Sequence, residues 1–265
     1  MGDLKRRVLA AAVLAPFIII FFIFLPAKWF FGFTTLIGLF AVYESTTMAG
    51  GKDRFIIIFI SALCILPLYQ RNLTGFVFWT LFSPVVYFMA KFFKGDTNKG
   101  DASNEIIRGI SILLLCEYFI MLPVYCLYFL KEMGRYFPLI LLLSLWASDT
   151  CAYFFGKSFG KRLMTPIISP KKTYEGLLGA VLGSLAVIMI SGKYLGMGFM
   201  ESLIIGAIIG ILGQIGDILE SAGKRFCGVK DSSSLIPGHG GILDRIDSFI
   251  FTAPFMYYYI SGIRV

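Results

Sequence analysis

Apolar stretches separated by short polar breaks recur along the whole chain, at Val8–Leu25, Trp29–Ala49, Phe55–Tyr69, Leu73–Phe92, Gly109–Leu130, Tyr136–Phe155, Leu177–Ile190, Phe199–Gly216 and Ser248–Ile263. A helix needs about 20 such residues to cross a bilayer. The pattern predicts an all-α, polytopic membrane protein with about nine transmembrane helices. Two runs fit less well, the third because Pro67 stands near its end and the seventh because it is short, so whether these two cross fully stays open. The first run follows Lys5, Arg6 and Arg7, as a secretory leader would. Its length of about 18 residues and the lack of a small-x-small cleavage site favour a retained helix.

Composition agrees with the pattern. Hydrophobic residues make up 57% of the 265 and charged residues 15%, with a mean hydropathy of +0.80, which excludes an ordinary soluble domain. With nine spans, eighteen of the 24 Lys and Arg residues fall on the side of the amino terminus. Excess positive charge stays cytoplasmic, so the amino terminus is expected inside and the carboxyl terminus outside. The same parity puts both long polar connections of the C-terminal half in the cytoplasm, as in a multi-pass inner-membrane protein with its active site on that face. A net charge of +8 suits anionic headgroups or simply fixes topology; no nucleic-acid partner is expected. Cys64, Cys116, Cys126, Cys151 and Cys227 lack paired spacing and read as free thiols.

The chain divides into N-terminal helices, residues 1–145, and a C-terminal catalytic region, residues 146–265, with polar loops at 156–176 and 217–247. A further hydrophilic connection, Lys94 to Arg108, names no chemistry. Gly179 and Gly183, then Gly206 and Gly210, followed by Gly213 and Gly216, have the spacing of closely packed helices. Glu44, Glu117, Asp149 and Asp217 lie inside apolar runs, where an ionisable group costs on the order of 3 kcal/mol. Four acids at similar depth could line one wet cavity. Glu44 and Glu117 lack a surrounding motif and read better as structural hydrogen-bonding groups.

Charge concentrates between Ser221 and Asp247, in SAGKRFCGVKDSSSLIPGHGGILDRID, which holds the chain's only histidine, His239. If the eighth helix continues past Gly216, residues 214, 217, 221 and 224 share one face, a stripe of carboxylate, hydroxyl and ammonium. If the ninth begins near Ile242, Asp244 and Asp247 also share a face. Mg²⁺ favours a few carboxylates with water and phosphate oxygens, which this layout can supply; the alternative is that these acids cap the helix and pair with Arg245. Gly240 and Gly241, just ahead of that helix, allow backbone N–H groups to point at an anion.

A second group follows the sixth run: Asp149, Thr150, Tyr153, Gly156, Gly160, Lys161, Arg162, then Ser169-Pro170-Lys171-Lys172-Thr173 and Glu175-Gly176. Lys171 and Lys172 beside the Thr173 hydroxyl make a phosphate clamp, or else mark the cytoplasmic side. Gly156-Lys157-Ser158 is not a P-loop, because Cys151 stands where its first glycine is needed.

At these residues the chain resembles the phosphatidate cytidylyltransferases, or CDP-diacylglycerol synthases. Ser221, Lys224, Arg225, Lys230, Asp231, Ser233, Ile236, Pro237, His239, Gly240, Gly241, Ile242, Asp244, Arg245, Ile246 and Asp247 fit that family's signature in register. Gly223 departs, standing where a bulky apolar residue is usual. Ser148-Asp149-Thr150 and the segment Ser169 to Gly176 fit as well, so the specific match covers residues 148 to 247.

The resemblance implies that CTP and phosphatidate are converted to CDP-diacylglycerol and pyrophosphate at the lipid bilayer, by a homodimer requiring Mg²⁺; a second cation such as K⁺ stays open. Asp217 and Asp244 are then the first-choice metal ligands, Asp247 the third, with Asp149 and Asp231 supporting. Lys171, Lys172, Lys224, Arg225, Lys230 and Arg245 bind phosphates, with Thr173, Ser221, Gly240 and Gly241 beside them, and His239 orients or protonates phosphate oxygens. A secondary transporter would place its charges near the bilayer midplane instead. A CDP-alcohol phosphotransferase would carry a D-G-x2-A-R block, which is absent.

Overall fold

The computed structural model describes residues 15–95, 101–233, 235 and 240–264. His239 and the basic residues 5–7 lie outside them. Among the described residues nine apolar helical stretches follow one another, in the order of the nine apolar runs. They are α1 (Ala15–Phe24), α2 (Ala27–Met48), a stretch broken into α3 (Arg54–Leu63) and α4 (Ile65–Tyr69), and α5 (Leu73–Phe93). Next come α6 (Ala102–Cys116), joined through a π turn to α7 (Leu122–Met133), then α8 (Phe137–Phe159), α9 (Tyr174–Leu195) and α10 (Phe199–Phe226). A single turn, α11 (Leu243–Ile246), precedes α12 (Phe249–Arg264).

The chain is an all-α membrane protein in which, among the described residues, five helical rods are long and apolar enough to cross a bilayer: Leu73–Phe93, Ala102–Met133, Phe137–Phe159, Tyr174–Leu195 and Phe199–Phe226. Their outer faces carry Leu81, Phe93 and Ile190, which are 69, 79 and 81% exposed. Such surface suits hydrocarbon rather than water.

Local chemistry explains the breaks. Pro67 has no N–H for the carbonyl of residue 63, so the third stretch breaks at Cys64. Pro123 similarly follows the π turn Glu117–Met121. The seventh stretch, expected to be short, runs 22 residues. It starts early because Thr173 Oγ1 accepts the Gly176 N–H at 3.0 Å, and it ends on Gly196 in the left-handed region at φ 73°.

The region expected as a loop at 156–176 is mostly ordered. Helix α8 continues to Phe159, and an antiparallel hairpin follows, β1 (Leu163–Thr165) with β2 (Ser169–Thr173), pairing Leu163 with Thr173. This two-stranded hairpin is a local addition to a helical fold. Glu175, in the first turn of α9, holds it by accepting the amides of Lys161 and Arg162 at 3.1 and 3.3 Å.

Helices α8, α9 and α10 pack through the spaced glycines. A Cβ at Gly183 would lie 2.4 Å from the Ala147 carbonyl oxygen, and one at Gly210 2.7 Å from Val181 Cα. The Ser184 hydroxyl donates to Gly206 O at 2.8 Å across the same seam. Two apolar cores flank α7. One joins it to α8, α9, α10 and α12; the other joins it to α2, α3, α5 and α6.

The polar ends sort to two sides. Lys91 Nζ lies 2.9 Å from Asp53 Oδ2, tying the end of α5 to the start of α3, while the pair Arg71 and Glu132 ties α4 to α7 at the opposite end. Of the intramembrane acids, Glu117 accepts from Trp79 Nε1 at 3.1 Å and Ser83 Oγ at 2.8 Å, a structural role. The four acids do not line one cavity: Glu44 accepts from residues 232–243, and only Asp149 and Asp217 draw together, through Gln214 and Lys172.

Candidate active site

Helix α10 is 28 residues long, about 42 Å at 1.5 Å per residue, so its C-terminal turns carry side chains beyond the seam with α9. There Asp217, Glu220 and Asp247 each offer one oxygen, all within 4.8 Å of one another. Two of the three come from α10 and the third from the junction of α11 and α12. That junction reaches α10 because Gly216 has no side chain; a Cβ there would lie 2.3 Å from the Asp247 carbonyl oxygen. Glu220 Oε1 is buried and has no hydrogen-bond donor among the described residues. A buried carboxylate oxygen without a donor is costly unless a cation serves it, so the donor set fits a divalent metal of the oxygen-preferring kind.

Two lysines flank the acids. Lys172, on β2, places Nζ 2.7 Å from Asp217 Oδ2 and 3.1 Å from Gln214 Oε1. The Gln214 amide nitrogen donates to Asp149 Oδ1 at 3.1 Å, linking α8 into the site. Lys224 Nζ sits 2.5 Å from both Glu220 Oε2 and Asp244 Oδ1. Ser221 Oγ donates to Asp217 Oδ1 at 3.4 Å.

The helix expected to begin near Ile242 is split into the single turn α11 and α12, which begins at Phe249, and the two acids have different partners. Asp244, a first-choice ligand by sequence, has both oxygens engaged. Oδ1 takes Lys224; Oδ2 takes Ser232 N at 3.2 Å, Ser232 Oγ at 2.8 Å and Gly241 N at 2.7 Å. Burial alone would raise its carboxyl, but these donors hold it well below the usual carboxylate range. Asp247 is opposite: burial, then the charges of Asp217 and Asp149, push it up to about 7 against the Ser248 donors.

The remaining residues expected from the sequence occupy the rim or the frame. Lys171, Arg225, Lys230, Asp231 and Arg245 are exposed. Arg225 donates to Ile168 O at 3.4 Å and Val229 O at 3.1 Å, which fastens the hairpin to the end of α10. Thr173 is buried and caps α9. Gly240 adopts φ 77°. The Gly241 amide, expected to face an anion, is turned onto Asp244.

Sequence reasoning overlooked Glu220 and the bridge through Gln214. The Glu220 signal was present, three residues after Asp217 and four before Lys224 on one helix.

Comparison with known proteins is consistent with this geometry. The sequence model described as the cytidylyltransferase family matches residues 5–263. A phosphatidate cytidylyltransferase of Thermotoga maritima is 32% identical over 97% of this chain and 96% of its own length. One from Bacillus subtilis is 33% identical over 98% and 99%. One from Synechocystis is 46% identical over 48% of this chain and 44% of its own.

Proposed function

Because the chain belongs to the cytidylyltransferase family, we propose that it transfers CMP from CTP to phosphatidate, yielding CDP-diacylglycerol and pyrophosphate for phospholipid synthesis. The observation that carries this reading is the meeting of Asp217, Glu220 and Asp247 with Lys172 and Lys224.

A phosphate monoester has a second pKa of about 6, so the phosphatidate oxygen is already anionic at neutral pH and needs no dedicated base. It forms a bond to the CTP α-phosphorus as the bond to the bridging oxygen breaks in line, and pyrophosphate leaves with the electron pair. What the site must supply is positive charge between two polyanions. Asp217, Glu220 and Asp247 are assigned to hold Mg²⁺, with Asp149 supporting through Gln214. When bound, the ion offsets charge on the nucleotide phosphates and on the departing pyrophosphate.

Lys172 and Lys224 neutralise phosphate oxygens at the two edges of the acid cluster. Asp244 keeps Lys224 charged and aimed, rather than serving as a ligand. The exposed Lys171, Arg225, Lys230 and Arg245 receive the incoming polyanion, with Asp231 at the rim, and Ser221 offers a hydroxyl. Thr173, Gly240 and Gly241 hold the frame, and His239 orients or protonates a phosphate oxygen. A homodimer, about nine crossings and an amino terminus and site on the cytoplasmic face complete the proposal, with K⁺ one candidate for a second cation. The positive-inside bias supports that orientation. The ties between Lys172 and α10, and between Lys91 and α3, agree with it by gathering polar ends on one side.

The test is incubation of purified protein with labelled CTP, phosphatidate and Mg²⁺. Lipid-linked CMP with release of pyrophosphate is expected. A folded protein that makes none refutes the reading.

A further inference from the structure

Glu44, on α2, is only 2% exposed, yet it faces a segment 188 to 199 positions away in sequence. Its Oε1 accepts from Ser233 Oγ at 2.6 Å and Ile242 N at 3.0 Å; its Oε2 accepts from Ser232 Oγ at 3.2 Å and Leu243 N at 2.8 Å. An ionised carboxylate is acceptor-only with about four lone-pair sites, and this one meets four donors. Two donors lie at 232–233 and two at 242–243, on either side of the glycine-rich sequence that ends at Gly241. Gly241 makes the approach feasible, since a Cβ there would lie 2.5 Å from Glu44 Oε2.

We propose that Glu44 is a positioning residue for the transfer reaction, drawing the ends of the 232–243 segment together and so fixing Asp244 and, through it, Lys224. The inference rests on the functional reading above. The coupling runs through Ser232, whose hydroxyl lies 2.8 Å from Asp244 Oδ2 as well as 3.2 Å from Glu44. A hydroxyl has one proton, so it serves one carboxylate at a time, while the amides of Ser232 and Gly241 hold Asp244 in place. Asp244 then presents its other oxygen to Lys224. Glu44 thereby draws the N-terminal helices, which hold no member of the acid and lysine cluster, into the geometry of the site.

Glu44→Gln tests this at nearly constant size. The new amide sets donor against donor at Ile242 or Leu243. Hydrogen exchange at residues 240–244 is expected to accelerate, and kcat/KM for CTP to fall on the order of tenfold, the scale of one or two buried hydrogen bonds. Ser233→Ala, which removes one donor without touching Asp244, should shift both readouts the same way by less. A folded Glu44→Gln with wild-type exchange and wild-type kcat/KM overturns the proposal. So does lost activity that merely tracks a lowered Tm while exchange at 240–244 stays unchanged. If Glu44→Gln does not fold, unchanged exchange and kcat/KM in Ser233→Ala overturn it. The wild-type protein assayed alongside separates the two failures: no product there sinks the functional reading, whatever exchange reports.

Discussion

Lys172 Nζ lies 2.7 Å from Asp217 Oδ2, so a hairpin strand and a membrane-crossing helix share an ion pair at the edge of the acid cluster. Lys172 is 15% exposed and Asp217 33%, so each keeps a path to a ligand. Lys172→Ala should leave the helices intact, because the hairpin is also tied by Glu175 and Arg225. Turnover should fall on the order of a hundredfold or more, as when a charge-stabilising donor is removed from an active site. Steady-state rates on the purified variant, with circular dichroism as the folding control, check this.

Asp244→Ala should abolish turnover while the protein remains folded and membrane-inserted, though less stable. Removing one partner of a buried pair costs on the order of 3 kcal/mol, and here it leaves Lys224 with Glu220 alone among the cluster's acids. Asp247→Asn should instead raise the Mg²⁺ concentration needed for half-maximal rate. If the two variants behave alike in Mg²⁺ titrations, the division between anchor and ligand is wrong.

Asp247 supplies a pH test. Its carboxyl is pushed up to about 7 from an ordinary 3.8, so below neutrality it holds a proton that a cation must displace. Divalent-ion affinity should therefore rise as pH passes upward through about 7, with proton release on binding. Calorimetry in two buffers of different ionisation heat measures that release. The stability sign follows from the same shift. The unfolded chain loses this proton first, so without metal the group's contribution to stability declines between about 4 and 7 as pH rises.

Two glycines of α10 should respond oppositely to substitution. Gly210→Val places atoms where Ser184 Oγ and Val181 Cα already lie within 2.5 and 2.7 Å of a Cβ, and should unseat the seam between α9 and α10. At Gly223 nothing lies within 4 Å of a Cβ, so Gly223→Ala should raise helix stability by about 0.5–1 kcal/mol. Thermal unfolding in detergent distinguishes the two.

Much of this architecture was legible in the sequence because hydrocarbon imposes a length and a composition on each helix. The close seams followed from the glycines at 179, 183, 206 and 210, whereas α10 runs on to Phe226 through ten residues of the segment expected as a loop at 217–247, a continuation that the spacing of residues 214 to 224 allowed but did not require. The hairpin was not legible: Ser169-Pro170-Lys171-Lys172-Thr173 has no alternating pattern, and contacts from Glu175 and Arg225 hold it. Nor were the different partners of Asp244 and Asp247, since Ser232, Gly241 and Lys224 reach the first while the second meets Asp217 and Glu220. Glu44 carried only the signal of a misplaced charge, since its partners lie far along the chain.

Helix α10 is a single rod about 42 Å long, against a hydrocarbon layer of about 30 Å. Asp217, Glu220 and Lys224 therefore ride on the same rigid body that must match the lipid thickness, whereas Asp247 and Lys172 are mounted on other elements. A thinner or thicker bilayer that tilts the rod moves one part of the cation cage against the other. Activity is therefore expected to vary with lipid chain length when the protein is assayed in bilayers of defined thickness.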